Sequence, residues 1–281
     1  MIPQNFDYDS PTTLKDVLAL LADGSAKVLA GGMSLIPLMK LRLAAPERVV
    51  DLRRVPGLDG IRQAPDGIHI GAMTSHYQIE SSPVLRAHCP LLAETASHIG
   101  DVQVRNMGTI GGSVAHSDPA ADYPAALFAL EAKVRVASAG GERTLSIGDF
   151  LVDTFTTALE PGEIVTEVIV PVESGGAGVS YQKMHQLASG FAMVGAAVRL
   201  SRTNGGIGFV RVGITGLALK AYRATNVEKI MQSGGDVEKA AAVVADGVQA
   251  SSDLNASAHY RSHMARVYTA RALKVALART S

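Results

Sequence analysis

The sequence predicts an α+β fold spread over two or three modest domains. Three observations carry the prediction. First, 281 residues exceed what one small core needs. Second, two breaks divide the chain: Pro56-Gly57, and the glycine-rich run from Glu173 to Gly178, ESGGAG. Third, strand and helix patterns separate towards the end, where three strand-like runs precede a closing set of helices. Hydrophobic residues make up 47% and charged residues 19%, so the chain can bury a core and is not disordered as a whole.

Residues 11–23, PTTLKDVLALLAD, read as a helix. Thr12 or Thr13 can cap it, Leu14, Val17, Leu18 and Leu21 share one face, and Gly24 ends it. Lys27 to Ala30 reads as a strand, Leu35 to Leu43 as a helical turn or irregular segment, and Arg48 to Leu52 as a second strand. The opening segment is therefore a small β-α-β-like unit. Gly67 to Met73, GIHIGAM, alternates like a strand. Residues 75–100 are mainly helical, interrupted by Pro83 and Pro90. Residues 106–124, NMGTIGGSVAHSDPAADYP, hold too many small residues and turn formers for a plain helix. Ala125 to Leu130 reads as helix, and Lys133 to Ala137 and Ile164 to Val170 as strands. After the glycine run come strands at Val179 to His185, Ala192 to Leu200 and Gly208 to Leu217. Helices close the chain at AYRATNVEKIM (221–231), Val237 to Ala250 and Tyr260 to Ala278. The last carries Met264, Val267, Tyr268, Arg271 and Val275 at helical spacing. No internal repeat is present.

Charge and cysteine content remove several function classes. Lys plus Arg and Asp plus Glu number 26 each, and no basic run exceeds a pair, so there is no electrostatic footprint for a nucleic acid. Cys89 is the single cysteine, which excludes an internal disulfide and any four-thiolate zinc or iron–sulfur site. It reads as a small buried hydrophobe. The opening MIPQNFDYDSP has neither a basic nor an apolar leader region, so no secretion signal is expected. No unbroken apolar run approaches the roughly 18 residues of a membrane span. The expectation is a cytoplasmic protein without a membrane span.

Two glycine pairs stand out. Gly31-Gly32 follows the strand at Lys27 to Ala30 and precedes Ser34; Gly111-Gly112 lies between Thr109 and Ser113. Without a Cβ wall, backbone N–H groups can point at phosphate oxygens, and two such loops could grip a dinucleotide from two sides. Either pair alone also reads as a plain turn. Other motifs fail. There is no GxGxxG after a strand and no Gly-Lys dipeptide, so neither a Rossmann crevice nor a P-loop is supported. Gly32-Met33-Ser34-Leu35-Ile36 begins like a hydrolase nucleophile elbow, but Ile36 replaces the second glycine. His116, Asp118 and Asp122 could be metal ligands; a turn held by Asp side chains, with a surface histidine, is the favoured reading.

Taken together, AGGMSLIPLMKLR (Ala30 to Arg42), VVDLRRVPGL (Val49 to Leu58) and RNMGTIGGSVAHSDPAADYPAAL (Arg105 to Leu127) resemble the FAD-contacting segments of the medium subunits of molybdenum hydroxylases. That group includes aerobic carbon monoxide dehydrogenase and relatives oxidising N-heterocycles and aldehydes, and xanthine dehydrogenases carry the same module. FDYDSPTTLKDVLALLA near the start and LEPGEIVTEVIVP (Leu159 to Pro171) fit as well, so the resemblance covers nearly the whole chain. It implies a PCMH-type, vanillyl-alcohol-oxidase-like FAD-binding fold. Its two subdomains would span residues 1–55 and 56–172, with a C-terminal sheet-and-helix domain at 173–281.

The resemblance also implies roles. Ala30, Gly31, Gly32, Met33, Ser34 and Leu35 would wrap the FAD pyrophosphate through backbone N–H groups. Thr109, Gly111, Gly112 and Ser113 would form the second loop, and Asp118 would also bind the cofactor. Asp122 would accept from a sugar or ribityl hydroxyl. Lys183, in YQKM, matches a family lysine without an assigned role. Phe191, in SGFAMVG, would lie near the isoalloxazine ring, the other reading being a core aromatic. The sequence departs from relatives at Met33, where His, Thr or Gln is common, and at Ser113, where Asn is common. It departs also at Leu187 and Gly190, where Arg and Asp are often seen. A less polar wall near the flavin would follow.

FAD would be held noncovalently, and no catalytic acid or base is assigned, because electron transfer needs none from this chain. Molybdopterin and [2Fe–2S] clusters would reside in a large and a small partner subunit. The family expectation is a dimer of heterotrimers, passing electrons to a quinone, NAD or oxygen. The alternatives are a stand-alone oxidase of the same fold and a scaffold that has lost FAD.

Overall fold

A computed structural model describes residues 2–173, 175–203 and 205–280. Ser174, within the glycine run that forms the second break, lies outside them. Three sheets of three, five and four strands follow one another along the chain, with a two-stranded pair beside the middle one.

The first unit runs β1 (Asp7–Asp9), α1 (Leu14–Leu21), β2 (Ala26–Leu29), α2 (Leu35–Lys40) and β3 (Arg48–Asp51). Its parallel sheet has the order β1-β3-β2. The Thr13 hydroxyl caps α1 by accepting from the N–H of Asp16, and Gly24 follows its end at φ +74°. Val17, Leu18 and Leu21 bury against Val50 and Leu52, and against Ile164 of the next unit. Because β2 and β3 run parallel, Gly31-Gly32 and the Leu52–Arg54 turn leave from the same edge of the sheet.

The middle unit continues with β4 (Ile61–Ala64), β5 (Gly67–Gly71), α3 (His76–Ser81), α4 (Pro83–His88), α5 (Pro90–Ser97), α6 (Val102–Met107), α7 (Ile110–His116) and α8 (Tyr123–Ala129). It ends with β6 (Lys133–Ser138), β7 (Gly141–Ser146), α9 (Ile147–Phe150), β8 (Leu151–Asp153), β9 (Thr156–Thr157) and β10 (Ile164–Val170). The sheet order is β4-β5-β10-β6-β7, antiparallel throughout. Pro83 and Pro90 open α4 and α5, where a missing N–H costs nothing. β4 and β7 had no strand signature because they are polar edge strands.

Residues 106–124 are no plain helix: the end of α6, the short α7 and the start of α8 are separated by Gly108 and by a turn from Ser117 to Asp122. Asp101 and Thr109 cap α6 and α7, accepting from the N–H groups of Val104 and Gly112, and capping with tertiary packing overrides the low helix propensity of the glycines.

The third unit is an antiparallel meander of β11 (Gly178–His185), β12 (Ala192–Thr203), β13 (Gly206–Thr215) and β14 (Tyr222–Arg223). It is followed by α10 (Thr225–Gln232), α11 (Val237–Ala242) and α12 (Ala258–Ala278). Tyr222 and Arg223 pair with β13 instead of opening a helix, and α11 stops well before Ala250. The buried face of α12 is also displaced from the expected stripe: Arg261, Ala265, Thr269, Ala272 and Ala276 are buried, while Arg271 is exposed. Small side chains let the helix lie close on the sheet; a Cβ on Gly178 would collide with the carbonyl of Ala276. The largest core joins the second and third units, since Val179, Tyr181 and Ala197 share it with Tyr123, Leu127 and Phe150.

Candidate functional site

The turn after β2 has the property expected of an anion cradle. Gly32 adopts φ +76°, which turns the chain sharply under the Ile36 side chain. Among the described residues, none accepts a hydrogen bond from the backbone N–H of Gly31, Gly32, Met33 or Ser34. Ser34 makes no capping bond with its hydroxyl. Ala30 and Leu35 flank the turn half-buried, and Met33 is exposed.

The second glycine pair differs from expectation. Its amides are spent internally: Gly111 donates to the Ala72 carbonyl at 2.9 Å, Gly112 to the Thr109 hydroxyl at 3.1 Å, and Ser113 to the Thr109 carbonyl at 3.0 Å. These glycines serve close packing. A Cβ on Gly111 would overlap Ala72, and one on Gly112 would stand 2.9 Å from the Thr109 hydroxyl and 3.6 Å from Ala30. The start of α7 thereby comes up against the first turn. Gly31 completes the contact, since a Cβ there would collide with the Met107 carbonyl and lie 2.8 Å from Gly108 Cα. The two glycine segments thus meet, one with free donors and one as a wall.

His76 supports that wall from beneath. Its backbone N–H donates to the Gly108 carbonyl, its Nδ1 lies 3.2 Å from the Tyr123 hydroxyl, and its ring leaves no room for a Cβ on Gly108. Burial, helped by the Arg105 guanidinium, lowers the imidazole to about 4, so it is neutral near pH 7.

Beyond α7 the chain turns at Asp118, whose carboxylate accepts from the N–H of Ala120. His116 packs its ring on Phe155. Among the described residues, no group of three or more His, Cys, Asp or Glu could hold a metal ion. Asp122 is 5% exposed and lies inward. Tyr181 donates its hydroxyl to one oxygen at 2.5 Å, and Lys183 Nζ stands 2.9 Å from both. Lys183 also donates to the His98 carbonyl at 2.8 Å. Burial pushes the Asp122 carboxyl up, opposed by Lys183 and Tyr181. The hydroxyl-acceptor role expected of Asp122 therefore falls on a carboxylate already engaged within the protein.

Phe191 is 46% exposed, which removes the core-aromatic reading. It sits at the end of a tight turn from Gln186, where Gly190 (φ +73°) packs on Gly100 and Leu187 faces solvent. Sequence reasoning missed Tyr181, His76 and Thr215. Tyr181 was findable, because it lies two residues before Lys183 on a strand and so shares its face. The other two carry no local signal.

The chemistry on offer is binding. Unspent amides suit anionic oxygens without any charged side chain, the Ser34 and Ser113 hydroxyls add short polar contacts, and Met33 and Phe191 offer apolar surface. A flat, diphosphate-bearing cofactor fits this donor set, and nothing in it forms a nucleophile with a paired base.

Comparisons with known proteins agree with that description. The family described as "FAD binding domain in molybdopterin dehydrogenase" matches residues 4–173, and "CO dehydrogenase flavoprotein C-terminal domain" matches residues 179–276. The chain is 38% identical over 285 residues to the carbon monoxide dehydrogenase medium chain of Hydrogenophaga pseudoflava, covering 99% of each. It is 37% identical to the 6-hydroxypseudooxynicotine dehydrogenase complex subunit alpha of Paenarthrobacter nicotinovorans, covering 99% of this chain and 97% of that one. Among solved structures, carbon monoxide dehydrogenase from Hydrogenophaga pseudoflava superposes with a TM-score of 0.96 at 39% identity, covering 100% of both chains.

Proposed function

We propose that this chain, which belongs to the family of FAD-binding domains of molybdopterin dehydrogenases, binds one FAD noncovalently and carries electrons from iron–sulfur clusters of a partner subunit to an external acceptor. The observation that carries the reading is the row of unspent amides from Gly31 to Ser34, closed on its other side by Met107-Gly108 and Gly112.

FAD, when bound, supplies the redox chemistry. The chain's own residues bind and orient. Amides of Gly31, Gly32, Met33 and Ser34 would hold the pyrophosphate, flanked by Ala30 and Leu35. Thr109, Gly111 and Gly112 shape the facing wall, from which the Ser113 hydroxyl can make a contact. Asp118 sets the turn beyond it. Lys183 uses protons on Asp122 and the His98 carbonyl and keeps donor capacity, while Asp122 keeps lone pairs for a ribityl or sugar hydroxyl. Phe191, half-exposed at the turn before β12, would lie near the isoalloxazine ring. Met33 offers no nucleophile for a covalent flavin bond.

The chain is divided as 1–55 and 56–172 for the two flavin subdomains and 173–281 for the C-terminal domain. Its partners are a large molybdopterin-binding subunit and a small [2Fe–2S] subunit, assembled in the cytoplasm as a dimer of heterotrimers. The assembly oxidises carbon monoxide, an N-heterocycle or an aldehyde. Among the described residues no helix is long and apolar enough to cross a membrane.

The test is the visible spectrum of the purified chain, with any co-purifying subunits retained, followed by denaturation and identification of what is released. Free FAD, in about one equivalent, is the expected result. A colourless preparation that takes up no added FAD, alone or in its assembly, rejects the proposal.

A further inference from the structure

We infer that Thr215 is a positioning residue for the cofactor site, acting from the C-terminal domain through the loop at residues 118–122; this rests on the FAD reading above. Three consecutive carbonyls of that loop are held by the third unit. The Thr215 hydroxyl shares its proton between the carbonyls of Pro119 and Ala121, at 2.9 and 2.7 Å. The Gly216 N–H donates to Pro119 at 2.8 Å, and the Ala192 N–H donates to Ala120 at 3.1 Å. Thr215 is 1% exposed, so no water competes for these bonds.

Both ends of the held loop belong to the site. Its start follows α7, whose Gly112 lies against Ala30. Its end is Asp122, locked to Tyr181 and Lys183. Ala192, which holds the middle, directly follows Phe191. The strand ends that do the holding are themselves fixed. Arg261 of α12 is buried and donates to the Met193 and Gly216 carbonyls at 2.6 and 2.7 Å, and its guanidinium pairs with Asp253 at 2.6 Å. Gly216 takes φ +76°, where a Cβ would strike the carbonyls of Ala192 and Met193. The chain of contact therefore runs from α12 through two strand ends into the loop that spaces the second glycine segment from the buried pair. Buried and bonded only to that loop, Thr215 would act by setting where the loop stands.

The experiment compares Thr215→Val and Thr215→Ser with the unaltered full chain, any co-purifying subunits retained. FAD affinity is read by flavin fluorescence quenching, flavin geometry by visible circular dichroism, and stability by melting of the FAD-free protein. Valine keeps the shape and removes the proton. The expected result is about tenfold weaker FAD binding and an altered flavin dichroism for valine, with serine close to the unaltered chain. If Thr215→Val does not fold, Thr215→Ala gives the same comparison without a β-branched side chain. A valine variant that melts lower but binds FAD within twofold, with unchanged dichroism, makes Thr215 purely structural and overturns the inference. An unaltered chain that binds no FAD overturns the FAD reading itself, and this inference with it.

Discussion

Gly31 to Ser34 and Gly111 to Ser113 look alike in the sequence and differ in what their amides do. The first set is unspent, the second is consumed by Ala72 and Thr109. Only the partner atoms separate a ligand cradle from a packed wall, and those partners lie about forty residues away in sequence for Gly111. His76 beneath the wall gives a testable consequence. Its folded value of about 4 lies below the 6.5 of an unfolded histidine, so between these values the unfolded chain carries a proton that the folded one lacks. Stability contributed by neutral His76 is complete above pH 6.5 and is lost as pH falls towards 4, by about 3 kcal/mol at most. Asp122, pushed up by burial, works in the opposite direction over part of that window. The clean measurement is therefore the difference in denaturant stability between His76→Asn and the unaltered chain at pH 7 and pH 4.5. The gap between them should narrow at the lower pH, and a constant gap would remove the assignment. Glycine spacing singles out Gly31-Gly32 and Gly111-Gly112 as a candidate cradle, whereas Asp122 and Lys183 enter only through the family resemblance. The inward turn of Asp122 was not legible, because it depends on Tyr181 and Lys183 arriving from a strand some sixty residues later.

Elements with local signals came through in the sequence, and those defined by tertiary contact did not. Thr13 and Gly24 bound α1, and Pro83 and Pro90 open α4 and α5, because capping and proline chemistry act within a few residues. The short α7 within the irregular stretch has no local signal: glycine composition argues against it, and the Ala72 and Thr74 carbonyls that receive its first amides are remote. The buried face of α12 differs from the expected stripe because a row that is mostly small, Ala265, Thr269, Ala272 and Ala276 with Leu273 and Arg261, turns inward. Contact between α7 and the first turn can be tested at Gly31. Its φ is not in the left-handed region, so alanine strains no backbone; the nearest obstacles are the Met107 carbonyl and Gly108. Gly31→Ala should cost about 1–3 kcal/mol and most of the bound flavin. Gly140→Ala, whose nearest neighbour would be 3.7 Å away, should stay within about 0.5 kcal/mol. Thermal melts and flavin content decide, and equal behaviour of the two variants would show that the segments do not press on each other.

At the scale of the molecule, the break at Glu173 to Gly178 reads in sequence as a domain joint, yet the units on either side are not independent. Val179, Tyr181 and Ala197 sit in the middle unit's core, so separating the units would expose apolar surface on both. Polar contacts cross the same boundary, the Asp122–Lys183 pair buried and the others partly exposed. Asp122 pairs with Lys183, and the Tyr181 N–H donates to Glu94, whose other oxygen meets Arg279. Glu131 is shared by Arg211 and Arg223. Parting the units would break the buried Asp122–Lys183 pair along with the shared core. Cutting the chain should therefore not part it. A specific protease site inserted between Gly175 and Gly176 would let the connection be severed after folding. The two fragments are expected to co-elute in native gel filtration and to keep FAD, and to separate only in denaturant. Ready separation in native buffer would mean that the shared core and the Asp122–Lys183 pair hold less than their burial implies, and that the C-terminal unit is an appendage to the flavin site instead of one of its walls.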